Sequence, residues 1–232
     1  MSLYYNNMEL VHTLNRGVDK RIIFLDDWDR FRFVHDLFEF NDQNGVNNLY
    51  YRFHKAKSKD LRSHYIEREP RKLLVDIHAF CIMQNHYHLL LSPRVEKGIS
   101  KFMTKLNIGY AKYFNEKYQR RGALFEGRYK FVLIKDESHF IHIPYYIHCN
   151  PLDLKHPQWR ERELKNPKSA LNFLDNYRWS SHLDYAGQHN FPSVTNRKLL
   201  LKFFGGPKEY YNSLAEWLKN MEVENMKDFL LE

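Results

Sequence analysis

The sequence predicts an α+β fold built around an antiparallel sheet, followed by a helical extension at the carboxyl end. Short apolar segments of strand-like composition lie at residues 8–16, 73–82, 86–91 and 131–134. Apolar residues at helical spacing lie after the first, third and fourth of these segments. The order is therefore strand, helix, strand, strand, helix, strand, helix. That order is the split βαβ arrangement of a ferredoxin-like sheet, and we expect the helices on one side of it.

Composition limits the class of protein. A chain of 232 residues with 43% hydrophobic residues can bury a core, and its length favours one elaborated domain over two. Cys81 and Cys149 lie in apolar segments without a pairing pattern, which indicates a reducing compartment. No apolar run reaches the roughly 18 residues of a membrane span, and the amino terminus lacks the pattern of a signal peptide. We therefore expect a cytoplasmic protein that stays out of the membrane.

The second and third strands are predicted to form a hairpin through the turn 83–85. The third strand carries His86 and His88 on either side of Tyr87. Successive side chains of a strand point to opposite faces, so the two imidazoles share one face. Two adjacent imidazoles can hold one divalent metal ion. A pair of half-buried, hydrogen-bonded histidines is the alternative interpretation.

The two following helices have different predicted roles. From Ile99 an aromatic stripe at helical spacing indicates core packing, so its tyrosines are not assigned as nucleophiles. The later helix begins near Asp136, and Pro144 must either kink it or mark its first turn. Pro151 is expected to end it. Tyr146 and Asn150 lie four residues apart there, so they project from one face.

Five motifs occur in an order that resembles a known family. They are Leu14-Asn15-Arg16-Gly17 with Asp29-Arg30-Phe31, then His86-Tyr87-His88, then 121–130 (RGALFEGRYK), then Tyr146-Ile147-His148-Cys149-Asn150-Pro151, and finally Tyr177-Arg178-Trp179-Ser180-Ser181. This series resembles the HUH single-tyrosine transposases, in particular the REP-associated tyrosine transposase branch. The resemblance runs from about residue 10 to about residue 185.

The resemblance implies the HUH version of the ferredoxin-like fold and a transposase activity. Residues 1–151 would form the transposase domain, and 152–232 a carboxyl-terminal extension that packs on it and could contact DNA. His86, His88 and Asn150 would hold a divalent metal ion, Mg²⁺ or Mn²⁺. Tyr146 would attack a phosphodiester of single-stranded DNA, forming a 5′-phosphotyrosine, and the reverse step would rejoin DNA.

The net charge of +8 is concentrated in two segments. Residues 101–135 contain nine Lys or Arg against two Glu, and a basic insertion at 42–72 contributes a second cluster. Basic residues interleaved with Tyr and Phe suit unpaired nucleic acid, whose bases can stack. We therefore expect single-stranded or hairpin DNA as the partner of a monomer or a homodimer. The predicted DNA contacts are Arg16, Lys105, Lys112, Arg120, Arg121, Arg128 and Lys130.

Two other functions stay open from the sequence. The chain could be a non-catalytic protein that binds hairpin DNA or RNA on the same fold. It could also be a metallonuclease that uses His86 and His88 as metal ligands and water as the nucleophile. That function requires carboxylate ligands on neighbouring strands, for which Asp76 is the candidate.

Overall fold

The computed structural model describes residues 9–45 and 70–220. Its sheet has four strands in the order β2-β3-β1-β4, and every neighbouring pair is antiparallel. The strands are β1 (Val11–Arg16), β2 (Val75–Ile82), β3 (His86–Pro93) and β4 (Lys130–Leu133). This order places β3 between the strands of the first βαβ unit and β1 between those of the second. The predicted α+β, ferredoxin-like sheet is therefore confirmed.

The first two helices cover one face of the sheet. They are α1 (Asp27–Glu39) and α2 (Gly98–Lys117). Asp26 caps α1 by accepting a 2.9 Å hydrogen bond from the Asp29 backbone N–H. In return, the Asp29 carboxylate accepts a 3.4 Å hydrogen bond from the Asp26 backbone N–H. Phe33 of α1 packs against Tyr87 of β3 and Tyr110 of α2, with ring centroids 4.6 and 5.1 Å apart. As predicted, the aromatic stripe of α2 is core.

The remaining helices follow β4 along the chain. They are α3 (Glu137–Cys149), α4 (Pro167–Asp175), α5 (His182–Tyr185), α6 (Lys198–Phe204) and α7 (Pro207–Asn220), with 3-10 turns at Asn150–Leu154 and Pro157–Glu161. They form a second core with the opposite face of the sheet. The expectation of helices on one side was wrong, because β2 and β3 are buried on both faces and helices cover each side of the sheet.

Pro144 lies inside α3 without ending it. The helix begins at its cap, Asp136, which accepts a 2.7 Å hydrogen bond from the His139 backbone N–H. As expected, the α-helix ends just before Pro151, at Cys149, and Asn150 to Leu154 continue as a 3-10 turn. Tyr146 and Asn150 therefore share one uninterrupted helical register.

Strand β4 is an exposed edge. It begins one residue earlier than predicted and pairs with β1 alone among the described strands. Phe131 is 61% exposed, so the apolar composition of this segment does not reflect burial on both faces. Its role is to bring the basic segment before it alongside β1.

The segment after Pro151 is joined to the sheet by hydrogen bonds. The backbone N–H of Ile82 donates to the carbonyl of Trp179 over 2.9 Å, and the Ser181 hydroxyl accepts from the backbone N–H of Phe80 over 3.0 Å. The division at 151/152 remains a prediction. The basic insertion 42–72 lies largely outside the described residues. Within the described chain, no helix has both the length and the apolar character needed to cross a membrane.

Candidate active site

The two predicted imidazoles lie at the start of β3, where the hairpin turn delivers them. The Met83 backbone N–H closes the turn by donating to the His86 carbonyl over 2.8 Å. The rings of His86 and His88 are 5.0 Å apart on the face that α3 covers, and both side chains are buried. Tyr87, between them, points into the opposite core. The sharing of one face, expected from strand alternation, is what the structure shows.

Each imidazole is oriented by a neighbouring side chain. His86 Nδ1 lies 2.7 Å from the Asn85 side-chain oxygen Oδ1. Because an amide oxygen only accepts, Nδ1 donates this hydrogen bond, and in a neutral ring Nε2 then carries the lone pair. His88 Nδ1 lies 2.9 Å from Nε2 of His12 on β1. If His88 donates this hydrogen bond, its Nε2 also carries a lone pair. Partners of this kind fix the tautomer of metal-binding histidines.

Tyr146 is the tyrosine that faces the imidazoles. Its ring lies edge-on to His88 and to His12, with centroids 5.7 and 5.9 Å apart, and it is 1% exposed. Tyr145 turns away and packs against Tyr210 and Trp217. Burial raises the pKa of Tyr145 to about 12. The two adjacent tyrosines are therefore separated into a site residue and a core residue.

Asn150 lies beside Tyr146, and a second residue joins them. The Asn150 amide donates to the Tyr146 backbone carbonyl over 2.8 Å. Arg160 donates through one terminal nitrogen to the Tyr146 hydroxyl over 3.2 Å and through the other to the Asn150 side-chain oxygen over 3.0 Å. Asp153 holds the remaining edge of this guanidinium with contacts of 2.7 and 2.6 Å.

The donor set fits a divalent metal ion in part. His86 and His88 offer two imidazoles on one face, but the Asn150 oxygen already accepts from Arg160. Within residues 9–45 and 70–220, no group of three or more His, Cys, Asp or Glu side chains is arranged to hold a metal ion. Asp76 pairs with Ser92 near the far end of the hairpin and forms a 3.1 Å ion pair with Arg94. Asp76, the carboxylate candidate for a metallonuclease, therefore lies at the other end of the hairpin from the imidazoles.

The predicted DNA contacts differ in accessibility. Arg16 lies opposite His86 in the β1–β3 register and therefore borders the site face. Four of the predicted DNA contacts are exposed: Lys112, Arg121, Arg128 and Lys130. Lys105 is instead held by the backbone carbonyls of Asp42 and Asn44, and Arg120 by the Asn115 side chain at 2.7 Å. These two basic residues are engaged in holding loops of their own chain.

The motif at 121–130 lies along the end of β1 next to the imidazoles. The Glu126 backbone N–H donates to the Arg16 carbonyl over 2.9 Å, and Asn15 donates to the Gly127 carbonyl over 3.3 Å. Two motifs more than a hundred residues apart in sequence are thereby brought to the same end of the sheet. Arg128, which is exposed, directly follows these two contacts in the chain.

Three residues of the site were not predicted. His12 alternates with Leu14 and Arg16 along β1, but only the strand pairing shows that it meets His88. Arg160 and Asp153 lie in a segment that the sequence marks only as a polar connection. His148, by contrast, is buried and bonded to Ser181 and Tyr210, so it is not a DNA contact in this structure.

Comparison with known proteins supports the resemblance. Residues 52–150 match the sequence model of the family described as transposase IS200 like. No curated protein matches the chain. A solved structure of a REP-associated tyrosine transposase bound to a REP hairpin aligns with a TM-score of 0.46 and 12% identity, covering 86% of this chain and 91% of that one. The similarity to IS200-like transposases therefore rests on residues 52–150, less than half of the chain.

Proposed function

We propose that this protein is a transposase that cleaves and rejoins single-stranded DNA through a covalent bond between Tyr146 and a 5′-phosphate. The observation that carries the proposal is the placement of Tyr146 against His88, with Asn150 on the same helical face. Tyr145, the adjacent candidate, packs instead against Tyr210 and Trp217.

The proposed step exchanges one phosphoester bond for another. The Tyr146 oxygen forms a bond to phosphorus while the bond from phosphorus to the 3′ oxygen breaks. The proton lost by tyrosine is balanced by the proton gained by the departing 3′ hydroxyl. Attack by a 3′ hydroxyl on the phosphotyrosine reverses the step, so rejoining needs no external energy source.

The site residues would provide the help that a phenol needs. A tyrosine hydroxyl ordinarily has a pKa of about 10 and is a weak nucleophile near pH 7. His86 and His88, with Asn150, would hold a divalent ion, Mg²⁺ or Mn²⁺, that polarises the phosphate and neutralises its charge. His12 and Asn85 would keep the imidazoles oriented. The donor set would be completed by phosphate oxygen and water.

The partner would be DNA with unpaired bases, such as a hairpin with single-stranded flanks. Arg121, Arg128 and Lys130 are exposed, and they belong to the segment that bonds to β1 through Glu126 and Arg16, opposite His86. Phosphate contacts from such residues are salt-dependent, and neighbouring aromatic rings can stack on unpaired bases. A non-catalytic binding protein would use the same surface and would not form a covalent product.

Covalent trapping distinguishes these functions. The protein is incubated with Mn²⁺ and an end-labelled hairpin DNA with single-stranded flanks, then separated on a denaturing gel. We expect a labelled adduct with the wild type and with Tyr145→Phe, and none with Tyr146→Phe. Binding without any adduct would support the non-catalytic alternative, and cleavage without an adduct would support the water-using nuclease.

A further inference from the structure

Arg160 occupies a position that no sequence motif marks. Its guanidinium reaches the Tyr146 hydroxyl and the Asn150 amide oxygen with its terminal nitrogens, at 3.2 and 3.0 Å. Its plane also lies over the Trp159 ring, 5.0 Å from the centroid. A permanent positive charge is therefore held at hydrogen-bond distance from the proposed nucleophile.

Two different edges of this guanidinium make these contacts and the contacts with Asp153. Asp153 accepts from Nε and from one terminal nitrogen, a two-point contact that fixes the plane of the group. Trp159 donates to the same carboxylate over 2.6 Å and so fixes Asp153 in turn. The edge that faces Tyr146 and Asn150 is thereby presented in one orientation.

Arg160 is more accessible to solvent than the two groups it contacts. The Arg160 side chain is 26% exposed, whereas Tyr146 is 1% and Asn150 is 0% exposed. A phosphate brought to the Tyr146 oxygen comes within reach of the same guanidinium. Arginine suits such a contact because its planar donors match two phosphate oxygens at once.

We propose that Arg160 is a catalytic residue that binds the non-bridging oxygens of the scissile phosphate when Tyr146 attacks. This inference rests on the proposed function. During the exchange of the two phosphoester bonds, negative charge accumulates on those oxygens, and a fixed guanidinium offsets it. In the structure without DNA, the terminal nitrogens of Arg160 donate to the Tyr146 hydroxyl and the Asn150 oxygen. In the complex, phosphate oxygens would accept these hydrogen bonds instead.

The test compares Arg160→Gln and Arg160→Lys with a matched control, Arg162→Gln, which changes an exposed arginine two residues away. Single-turnover adduct formation is measured on a normal phosphodiester and on each diastereomer of a methylphosphonate at the scissile position. The methyl group removes the negative charge that Arg160 would bind. DNA affinity and thermal stability are measured for each variant.

On the phosphodiester, we expect Arg160→Gln to slow adduct formation about 100-fold or more, with DNA affinity nearly unchanged. Arg160→Lys should recover part of the rate because it keeps a cation, and Arg162→Gln should match the wild type. On a methylphosphonate the defect of Arg160→Gln should shrink to a few-fold. A merely structural role predicts an equal defect on both linkages.

Three results would overturn the inference. Wild-type rates of adduct formation for both Arg160 variants on the phosphodiester would overturn this inference but not the proposed function. Equal losses of rate on the phosphodiester and the methylphosphonate would do the same. If Arg160→Gln does not fold, the comparison of linkages is made with Arg160→Lys, for which a smaller defect on the neutral linkage is again required. Failure of the wild type itself to form an adduct would overturn the proposed function and this inference together.

Discussion

The two faces of the sheet are built differently, although the same strands form both. The face covered by α1 and α2 is an aromatic and aliphatic core. In it the ring centroids of Phe24, Phe33 and Tyr110 lie 5.1 to 5.2 Å from one another. The face covered by α3 carries His12, His88 and Tyr146. Both faces are packed as cores, but the chemically active groups lie on the α3 face.

The alternation of β3 creates this difference within three residues. His86 and His88 point to the α3 face, while Tyr87 points to the aromatic core and donates to Asn107 over 2.6 Å. Burial raises the pKa of Tyr87 well above its ordinary value, so it stays a neutral hydroxyl. Strand β3 thus positions His86 and His88 in the site, while Tyr87, between them, packs into the opposite core.

The α3 face also contains a buried polar chain that joins the carboxyl-terminal helices to the sheet. His148 lies 2.7 Å from the Ser181 hydroxyl and 2.8 Å from the Tyr210 hydroxyl, and Tyr210 in turn lies 2.9 Å from His182. Asp175 closes the chain at 3.0 Å from His182. Buried polar groups that satisfy one another in this way favour a single packing arrangement.

The largest expected difference between the faces is in activity. His86→Ala and His88→Ala should abolish Mn²⁺-dependent adduct formation and weaken Mn²⁺ binding. Tyr87→Phe, the control between them, should retain both and lose about 1 kcal/mol of stability with its hydrogen bond. Isothermal titration and the adduct assay measure these effects. Unchanged Mn²⁺ affinity in both alanine variants would contradict the assignment of the imidazoles as ligands.

The opposite face should respond in stability. Phe33→Ala removes a fully buried ring from the α1–α2 core and should lower the free energy of unfolding by about 3–5 kcal/mol. Mn²⁺ affinity at a temperature where the variant remains folded should not change. Urea denaturation measures the first quantity. A loss of metal binding in a folded Phe33→Ala protein would show that the two faces are not independent.

The sequence predicted much of this arrangement because local periodicity determines it. Alternation was sufficient to place His86 and His88 on one face, and the four-residue spacing was sufficient to bring Tyr146 beside Asn150. Arg160 could not be predicted, because its contacts arise from the path of the chain after Pro151. The pairing of His12 with His88 depends on strand register across 76 residues. Local patterns do not specify either contact.

A smaller effect is expected for the basic surface. Replacing Arg121 and Arg128 with Gln should reduce the slope of log affinity against log salt by about 0.7–0.9 for each DNA phosphate that the variant no longer neutralises. Hairpin DNA with single-stranded flanks should still bind more tightly than blunt duplex at the same salt concentration. Fluorescence anisotropy over a salt series tests both points. An unchanged slope would place the DNA elsewhere on the protein.

The smallest expected effect is a pH dependence on the α3 face. Burial, the largest cause, lowers the pKa of His139 to about 4, from the ordinary value near 6.5. Between these values the unfolded chain binds more protons than the folded one, so stability falls as pH drops from about 6.5 towards 4. His139→Phe should reduce the loss of melting temperature between pH 7 and pH 5. His189→Phe, at an exposed histidine, is the control and should not.

Locating the covalent bond by tandem mass spectrometry tests the central claim most directly. The wild-type adduct formed with Mn²⁺ and hairpin DNA is digested with nuclease and protease, and the peptide containing Tyr145 and Tyr146 is fragmented. The assignment of one tyrosine to the core and its neighbour to the site predicts the nucleotide phosphate on Tyr146 alone. A phosphate on Tyr145, or on a tyrosine outside α3, would contradict it.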